Sequence, residues 1–185
     1  MINSSSPKDY VNSNFAPAGD RLSTFNTAAD FFGEIDFPIN EKYHLAVEYS
    51  YLISSYTTTS FLGVYDLSLN LHRPSLLGYY EIPGKGYKFK FGAGIGYRLV
   101  NVTEKLPGSN NEPEYSSGGM GFLLKAQGNT LLSDRIYALI ALDLRLDYPG
   151  EPESEGANIK YNSTGEVVNF NMLSIGIKLG ISYLL

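Results

Sequence analysis

The 185-residue sequence contains no cysteine and no tryptophan, and it has only two histidines. Without cysteine, the chain can form neither a disulfide framework nor a thiolate metal site. Two histidines are also too few for the usual zinc ligand sets, so we expect no metal and no other cofactor. A net charge of -5 without a cluster of Lys and Arg argues against a nucleic-acid partner.

Long hydrophobic runs are missing as well, and no stretch approaches the roughly 20 apolar residues that a membrane helix needs. The first nine residues have neither a basic start nor an apolar centre, so they are not a signal peptide. An exported protein should have carried one, either removed or lying upstream of Met1. What is abundant is Tyr (15), Phe (10) and Gly (19), in a chain of slightly negative mean hydropathy. This combination is typical of transmembrane β-barrels, in which lipid-facing residues alternate with inward-facing ones.

The clearest alternation lies at the carboxyl end. One set of alternate positions is entirely apolar: Leu173, Ile175, Ile177, Leu179, Ile181 and Tyr183. The positions between them are small or polar: Ser174, Gly176, Lys178, Gly180 and Ser182. Period two predicts a strand with one apolar face that runs to the end of the chain.

The same alternation predicts seven strands in one domain, near 23–37, 43–56, 61–77, 87–100, 116–127, 135–148 and 167–185. Short turns (38–42, 79–86, 128–134) alternate with other connections (57–60, 100–117, 149–166), and the last two of these are long. Short turns at one end and longer loops at the other are typical of outer-membrane barrels. Residues 23–185 are therefore predicted to form the barrel, and residues 1–22 an external loop or weak strand. Bacterial single-chain barrels normally have an even number of strands, so a further strand is expected, within residues 1–16 or upstream of Met1.

Aromatic residues of the outward parity lie near both ends of the predicted strands. We predict that two aromatic girdles are formed by Phe37, Tyr43, Tyr87 and Tyr183 beside the short turns and by Phe25, Tyr51, Tyr65, Tyr97 and Tyr148 beside the long loops. Tyr43 and Tyr51 are separated by about 26 Å along a strand. At the usual tilt this distance becomes about 20 Å of height, close to the apolar band of such barrels.

The inward parity carries most of the strand charges. We predict an interior charge network of Glu34, Glu48, Lys90, Lys125, Lys178, Asp66, Arg98, Asp143, Arg145 and Asp147, with Asp66 close to Arg98. Charges in such an interior must be paired or hydrated. Two interpretations remain open: side chains that fill the barrel, or a gated pore or ligand cavity.

Little in the sequence indicates catalysis. His44 and His72 are expected to face the interior near the short turns, where neither could reach the outer leaflet. The segment Gly92–Gly96 lies within a strand with no helix after it, so it does not match a nucleotide-binding loop. The acidic run of Glu151, Glu153 and Glu155 has no calcium-loop spacing. We therefore expect no enzyme and no catalytic, cofactor-binding or metal site.

The terminal pattern of a polar residue, glycine, aromatic residue and hydrophobic residue resembles the assembly signal of bacterial outer-membrane barrels. Lys178, Gly180, Tyr183 and Leu185 occupy its defining positions. With the alternation and the turn asymmetry, the chain resembles the OmpA-like and OmpW-like outer-membrane barrel superfamily of Gram-negative bacteria. It departs from that pattern in its strand parity and in ending on Leu rather than Phe.

The resemblance implies an all-β, antiparallel up-and-down transmembrane β-barrel of about eight strands, located in the bacterial outer membrane. It also implies contacts with outer-membrane lipid and lipopolysaccharide, insertion by the barrel-assembly machinery, and a monomeric state. The expected function is structural or surface interaction, with loops presented outside the cell. The alternatives are a narrow porin-like transport barrel for small solutes and a soluble, lipocalin-type ligand-binding barrel.

Overall fold

A computed structural model describes residues 2–3, 5–15, 28–60, 63–109, 111–162 and 164–183. Within these residues the chain forms one helix and ten strands, of which seven are long. In chain order the elements are β1 (Ile2–Asn3), α1 (Ser5–Asn14), β2 (Ala29–Pro38), β3 (Tyr43–Ser60), β4 (Gly63–Gly84), β5 (Tyr87–Lys105), β6 (Glu114–Ser133), β7 (Ile136–Tyr148), β8 (Glu153–Ser154), β9 (Ala157–Asn158) and β10 (Met172–Tyr183).

All strands belong to one antiparallel sheet with up-and-down topology. The order across the sheet is β1-β10-β7-β6-β5-β4-β3-β2, and the β8–β9 hairpin is attached to β6. The sheet curls into a half-barrel, so that side chains of β2 and β10 meet across its interior: Lys178 Nζ lies 3.3 Å from Asp30 Oδ2. The prediction of an all-β antiparallel up-and-down fold is confirmed.

The connections fall at two ends of the sheet. The short-turn end contains the turns at 39–42, 85–86 and 134–135, and the long-loop end contains the connections at 106–113 and 149–171. Local chemistry defines the tight turns. The Asn40 side chain accepts hydrogen bonds from the backbone N–H groups of Lys42 and Tyr43, both at 2.9 Å, and Gly86 adopts a φ of 81° that favours glycine.

Alternation places two chemically different sets of side chains on the two faces of the sheet. On β5, Phe89, Phe91 and Ile95 are exposed on the outer face, whereas Lys90 and Arg98 are buried on the inner face. The outer face is therefore apolar along most of the sheet, and the inner face carries charges toward the short-turn end. At the long-loop end, the inner face becomes apolar.

This apolar inner region, which we call the upper chamber, is covered by α1 and by Ile159, Val168 and Phe170. Its buried members are Tyr10, Val11, Leu52, Tyr56, Tyr65, Leu67, Leu69, Leu71, Val100, Val102, Ile159, Val168, Phe170 and Met172. Residues 1–22 were expected to form an external loop or a weak strand, but Ser5–Asn14 form α1, whose Tyr10 and Val11 are buried in the upper chamber. The sequence SSPKDYVNSN has few apolar residues and so gives no amphipathic helix pattern.

The prediction for β4 was wrong about which residues face inward. Tyr65 was expected to face outward, but it is buried in the upper chamber together with Leu67 and Leu71. The same inward parity continues through Arg73 and Tyr79 to the short-turn end. An apolar run facing an apolar chamber is indistinguishable by alternation from one facing lipid, so period two alone could not decide the direction.

Candidate functional site

The charged interior is built around Glu48 of β3, whose side chain is fully buried. Its carboxylate accepts hydrogen bonds from Lys125 Nζ at 2.7 Å and from Arg145 Nη2 at 2.5 Å. These cations come from β6 and β7, on the opposite side of the curl. Glu48 therefore joins three strands through charge-assisted hydrogen bonds, which are the stronger kind in proteins.

Further pairs extend this arrangement around Glu48. Arg145 Nη2 also donates to Asp143 Oδ2 at 2.7 Å, and Lys178 of β10 lies 3.1 Å from the same oxygen. Lys125 Nζ donates to Glu34 Oε2 at 2.8 Å, and that oxygen also accepts from the Tyr79 hydroxyl at 2.7 Å. Each buried charge in this group therefore has at least one opposite charge within reach, which is the condition for burying ions.

A second group of ions lies toward the upper chamber. Asp147 accepts hydrogen bonds from Arg98 and, at 3.4 Å, from Arg73. Arg73 also forms an ion pair with Asp30 of β2 at 2.7 Å. Arg98 Nη1 donates to the backbone oxygen of Tyr97 at 2.9 Å. Two arginines thus share one carboxylate that has no solvent exposure.

The third group lies at the short-turn end. His44 stands between two carboxylates, with Nδ1 3.1 Å from Asp36 and Nε2 3.4 Å from Glu81. Lys90 pairs with Asp36, and Lys88 lies 3.4 Å from Glu81. We refer to the three groups together as the charge network. Its members are Asp30, Glu34, Asp36, His44, Glu48, Arg73, Glu81, Lys88, Lys90, Arg98, Lys125, Asp143, Arg145, Asp147 and Lys178.

Glycines on the inner face make room for these long side chains. A Cβ atom at Gly121 would lie 2.5 Å from Arg98 Cζ, so the guanidinium occupies the space that a side chain would take. At Gly96 a Cβ would overlap the backbone carbonyl oxygen of Pro74. The two glycines therefore allow a packing of β4, β5 and β6 that alanine would not allow.

Above the charge network, α1 closes the upper chamber through one buried acid. The Tyr10 hydroxyl donates to Glu104 Oε1 at 2.6 Å, and the Tyr65 hydroxyl donates to the same oxygen at 2.8 Å. Phe15 stacks on Tyr65 with ring centroids 3.8 Å apart. Burial, together with the hydrogen bond to Glu104, raises the pKa of Tyr10 above its usual value. The Tyr10 hydroxyl therefore remains a donor at neutral pH.

The structure places nine of the ten predicted network residues on the inner face, where they form the pairs described above. Asp66 is the correction, because β4 has the opposite parity from that expected. Asp66 faces outward, accepts hydrogen bonds from Ser55 and Thr57, and pairs across the sheet with Lys105 rather than with Arg98. Sequence reasoning did not include six members of the charge network, namely Asp30, Asp36, His44, Arg73, Glu81 and Lys88, and it also missed Glu104. For Arg73 and Glu81 the signal was present, since both continue the inward parity of β4 through Ser75 and Leu77.

The nine predicted girdle residues have four different outcomes. Six are exposed on the outer face: Phe37, Tyr43, Tyr87, Tyr97, Tyr148 and Tyr183. Tyr51 is half-buried and donates to Asn70 at 3.0 Å, whereas Tyr65 is buried in the upper chamber and was assigned wrongly. Phe25 lies outside the described residues, as does Leu185 of the terminal signal. Of the other signal residues, Lys178 and Gly180 are on the inner face and Tyr183 is on the outer face.

The two histidines also differ in position. His44 is on the inner face at the short-turn end, as expected. His72 was predicted to face inward but lies on the outer face, with Nδ1 2.6 Å from the Tyr49 hydroxyl and its ring 4.7 Å from that of Tyr51. The error has the same cause as for Asp66. The expected position of His72 in the interior is therefore wrong.

No group of three or more His, Cys, Asp or Glu side chains with metal-site geometry occurs among the described residues. Within the same part of the chain, no helix is long and apolar enough to span a membrane. No protein-family model matches the chain, and comparisons with curated proteins and with solved structures gave no match either.

Proposed function

We propose that the protein is a transmembrane β-barrel protein of a bacterial outer membrane, with an interior filled by the charge network and by α1. The observation that carries the proposal is the distribution of polarity. Outer-face residues such as Phe122, Leu124 and Ile140 are about half exposed, whereas Glu48, Arg98 and Arg145 are buried. Exposed apolar surface as continuous as this marks an interaction surface, and here it surrounds the curl on every long strand.

The height of the apolar surface supports the same proposal. On β10 the outward apolar residues extend from Leu173 to Tyr183, which is about 33 Å along the strand. At a tilt of about 40° this distance becomes roughly 25 Å, the height of the apolar band in outer-membrane barrels. Nearer the long-loop end, the outer face becomes polar, with Asp66, Asn70 and Asn101 in place of apolar residues.

The filled interior favours a structural or surface-interaction role over transport and over catalysis. Charged side chains from β2 to β10 meet in the centre of the curl, and α1 covers the upper chamber. The parts left for interaction are the exposed residues of the connections at the long-loop end, such as Glu112, Glu151 and Glu155. In the proposed orientation the carboxyl end lies in the periplasm, and these connections face lipopolysaccharide and the exterior.

Depth measurements on single-cysteine variants test the membrane proposal, and the chain has no native cysteine to interfere. Leu124→Cys places a spin label on the apolar outer face, and Asn101→Cys places one on the polar outer face as the matched control. In phospholipid vesicles we expect the label at 124 to be accessible to oxygen and shielded from a water-soluble nickel complex, with the reverse at 101. Equal nickel accessibility at both positions would contradict the proposal and favour a soluble barrel.

Conductance across planar bilayers tests the filled interior. We expect no steady ionic current from the inserted protein, because the charge network occupies the lumen. A known porin in the same bilayer is the positive control. Steady channels of uniform size would contradict the filled interior and support the narrow transport barrel instead.

A further inference from the structure

The two edges of the sheet leave a seam, which we define as the outer edge of β2 (Ala29–Pro38) and the lower part of β10 (Gly176–Tyr183). Across it, side chains rather than backbone groups make contact. Lys178 Nζ lies 3.3 Å from Asp30 Oδ2 and 4.6 Å from the centroid of the Phe32 ring. Among the described residues, no backbone pairing joins β2 to β10.

The outward side chains of β10 become more exposed to solvent beyond the point at which its pairing with β1 stops. Leu173, which pairs with Asn3 of β1, is 39% exposed, whereas Ile177 and Ile181 are 74% and 76% exposed. On the inner strand β7, the outward residue Leu142 is 53% exposed. An outward side chain is partly covered by its neighbours on adjacent strands. The increase therefore indicates that a neighbouring strand is lacking beside the lower part of β10 in the described structure.

The exposure of side chains on the inner side of the seam also indicates that a strand is lacking there. The side chains of Asp30 and Asp36 on β2 retain 20% and 21% exposure, although both point toward the charge network. Glu48 and Asp143 on inner strands retain 0% and 2%. The carboxylates on β2 therefore keep a solvent access that the carboxylates on inner strands lack.

Strand direction restricts what can close the seam. β2 and β10 both run from the long-loop end to the short-turn end, so they cannot pair antiparallel with each other. β1 is antiparallel to β10, with Ile2 opposite Ser174 and Asn3 opposite Leu173. A strand that leads into β1 from the short-turn end would run antiparallel to both β10 and β2. All pairs of neighbouring strands would then be antiparallel, as they are in the rest of the sheet. This strand would also bring the long strands to the even number usual for bacterial single-chain barrels.

We propose that the seam is a strand-binding site and that its occupant is the polypeptide leading into Ile2, running antiparallel between β10 and β2. The proposal rests on the proposed function as a membrane barrel. Continuing the register of β1 gives partners to all of Gly176–Tyr183. Cross-strand partners share a face, so residues opposite Ile177, Leu179 and Ile181 should be apolar. Residues opposite Gly176 and Lys178 should be small or polar, because they share the inner face with Lys178 and its partners Asp30 and Asp143.

Two extended versions of the chain test this site. The matched version carries eight added residues ahead of Met1, with apolar residues opposite Ile177, Leu179, Ile181 and Tyr183 and Ser or Thr between them. The control version carries the same eight residues with the two parities exchanged. Amide hydrogen exchange is followed in detergent micelles for β2, for Gly176–Tyr183 and for β5 as the internal reference.

We expect the matched extension to slow exchange at the seam amides at least tenfold, whereas the control extension and the 185-residue chain exchange rapidly there. Equal protection by both extensions would overturn the proposal, as would seam amides in the 185-residue chain that already exchange as slowly as those of β5. Protection of the 185-residue chain that rises with protein concentration would assign the seam to a second copy and also overturn it. The label at position 124 is measured separately in vesicles, so failure of the membrane proposal is distinguished from failure at the seam.

Discussion

Replacing Glu48 with Gln removes one negative charge from the centre of the charge network while keeping the shape of the side chain. In the native structure this carboxylate lies 2.7 Å from Lys125 Nζ, 2.5 Å from Arg145 Nη2 and 3.8 Å from Lys178 Nζ. The variant leaves all three cations buried with fewer anions around them. We therefore expect Glu48→Gln to lower the free energy of unfolding.

The remaining partners set the size of the effect. Removing one member of a buried ion pair typically costs about 3–5 kcal/mol. Lys125 keeps Glu34 at 2.8 Å, and Arg145 keeps Asp143 at 2.7 Å. Each cation thus retains a carboxylate, and the lower end of the range, about 3 kcal/mol, is the expected loss.

Urea unfolding in detergent micelles, followed by the β-sheet circular dichroism signal, measures this loss. The matched control is Glu112→Gln, which breaks the exposed 2.9 Å pair with Lys105 and should leave the unfolding midpoint unchanged. The double variant Glu48→Gln/Lys125→Met should be destabilised by less than the sum of the single changes, because it removes one of the stranded cations. If Glu48→Gln matched Glu112→Gln within about 0.5 kcal/mol, the assignment of Glu48 as the shared buried anion would be refuted.

Three further predictions concern packing, the helix and a turn. Gly96→Ala should lower the free energy of unfolding by about 1–3 kcal/mol, because its Cβ overlaps a backbone carbonyl of β4. Gly176→Ala, whose Cβ meets nothing within 4 Å, should be tolerated in the same urea titration. Tyr10→Ala should release α1 and speed limited proteolysis within residues 5–15, whereas Asp9→Asn on the exposed side should not; equal cleavage would count against the role of the tyrosine. Glu155→Asn should stabilise the β8–β9 hairpin by about 0.5–1 kcal/mol, because φ is 51° at this position and Asn tolerates the left-handed region better; a lower thermal midpoint would contradict this.

The architecture of most strands could be predicted because only one of their faces is apolar. On β5, Lys88, Lys90 and Arg98 share a parity opposite to that of Phe89 and Phe91, so the inward side is unambiguous. In the upper half of β4 this contrast is reversed. There the inner face meets the apolar upper chamber, and the outer face carries polar residues above the apolar band, so the pattern is reversed relative to the lower half.

The structural features that could not be predicted from the sequence are those that depend on contacts between distant segments of the chain. The upper chamber forms because α1 and Phe170 pack against Tyr65. The sequence of β4 alone contains no signal for these contacts. The α1 helix has few apolar residues and is held by the Tyr10 and Phe15 contacts. The pairing of Arg73 with both Asp30 and Asp147 likewise requires the curl of the whole sheet.

The wide sequence separation within the charge network has a kinetic consequence. Glu48 and Arg145 are 97 positions apart, and Glu48 and Lys125 are 77 apart. Such contacts raise the contact order, and their loop-closure entropy must be overcome before they form. The pairs around Glu48 should therefore form after the transition state for folding, once the hairpins have assembled. Substitutions there should mainly accelerate unfolding, so the network would act chiefly to prolong the lifetime of the folded protein.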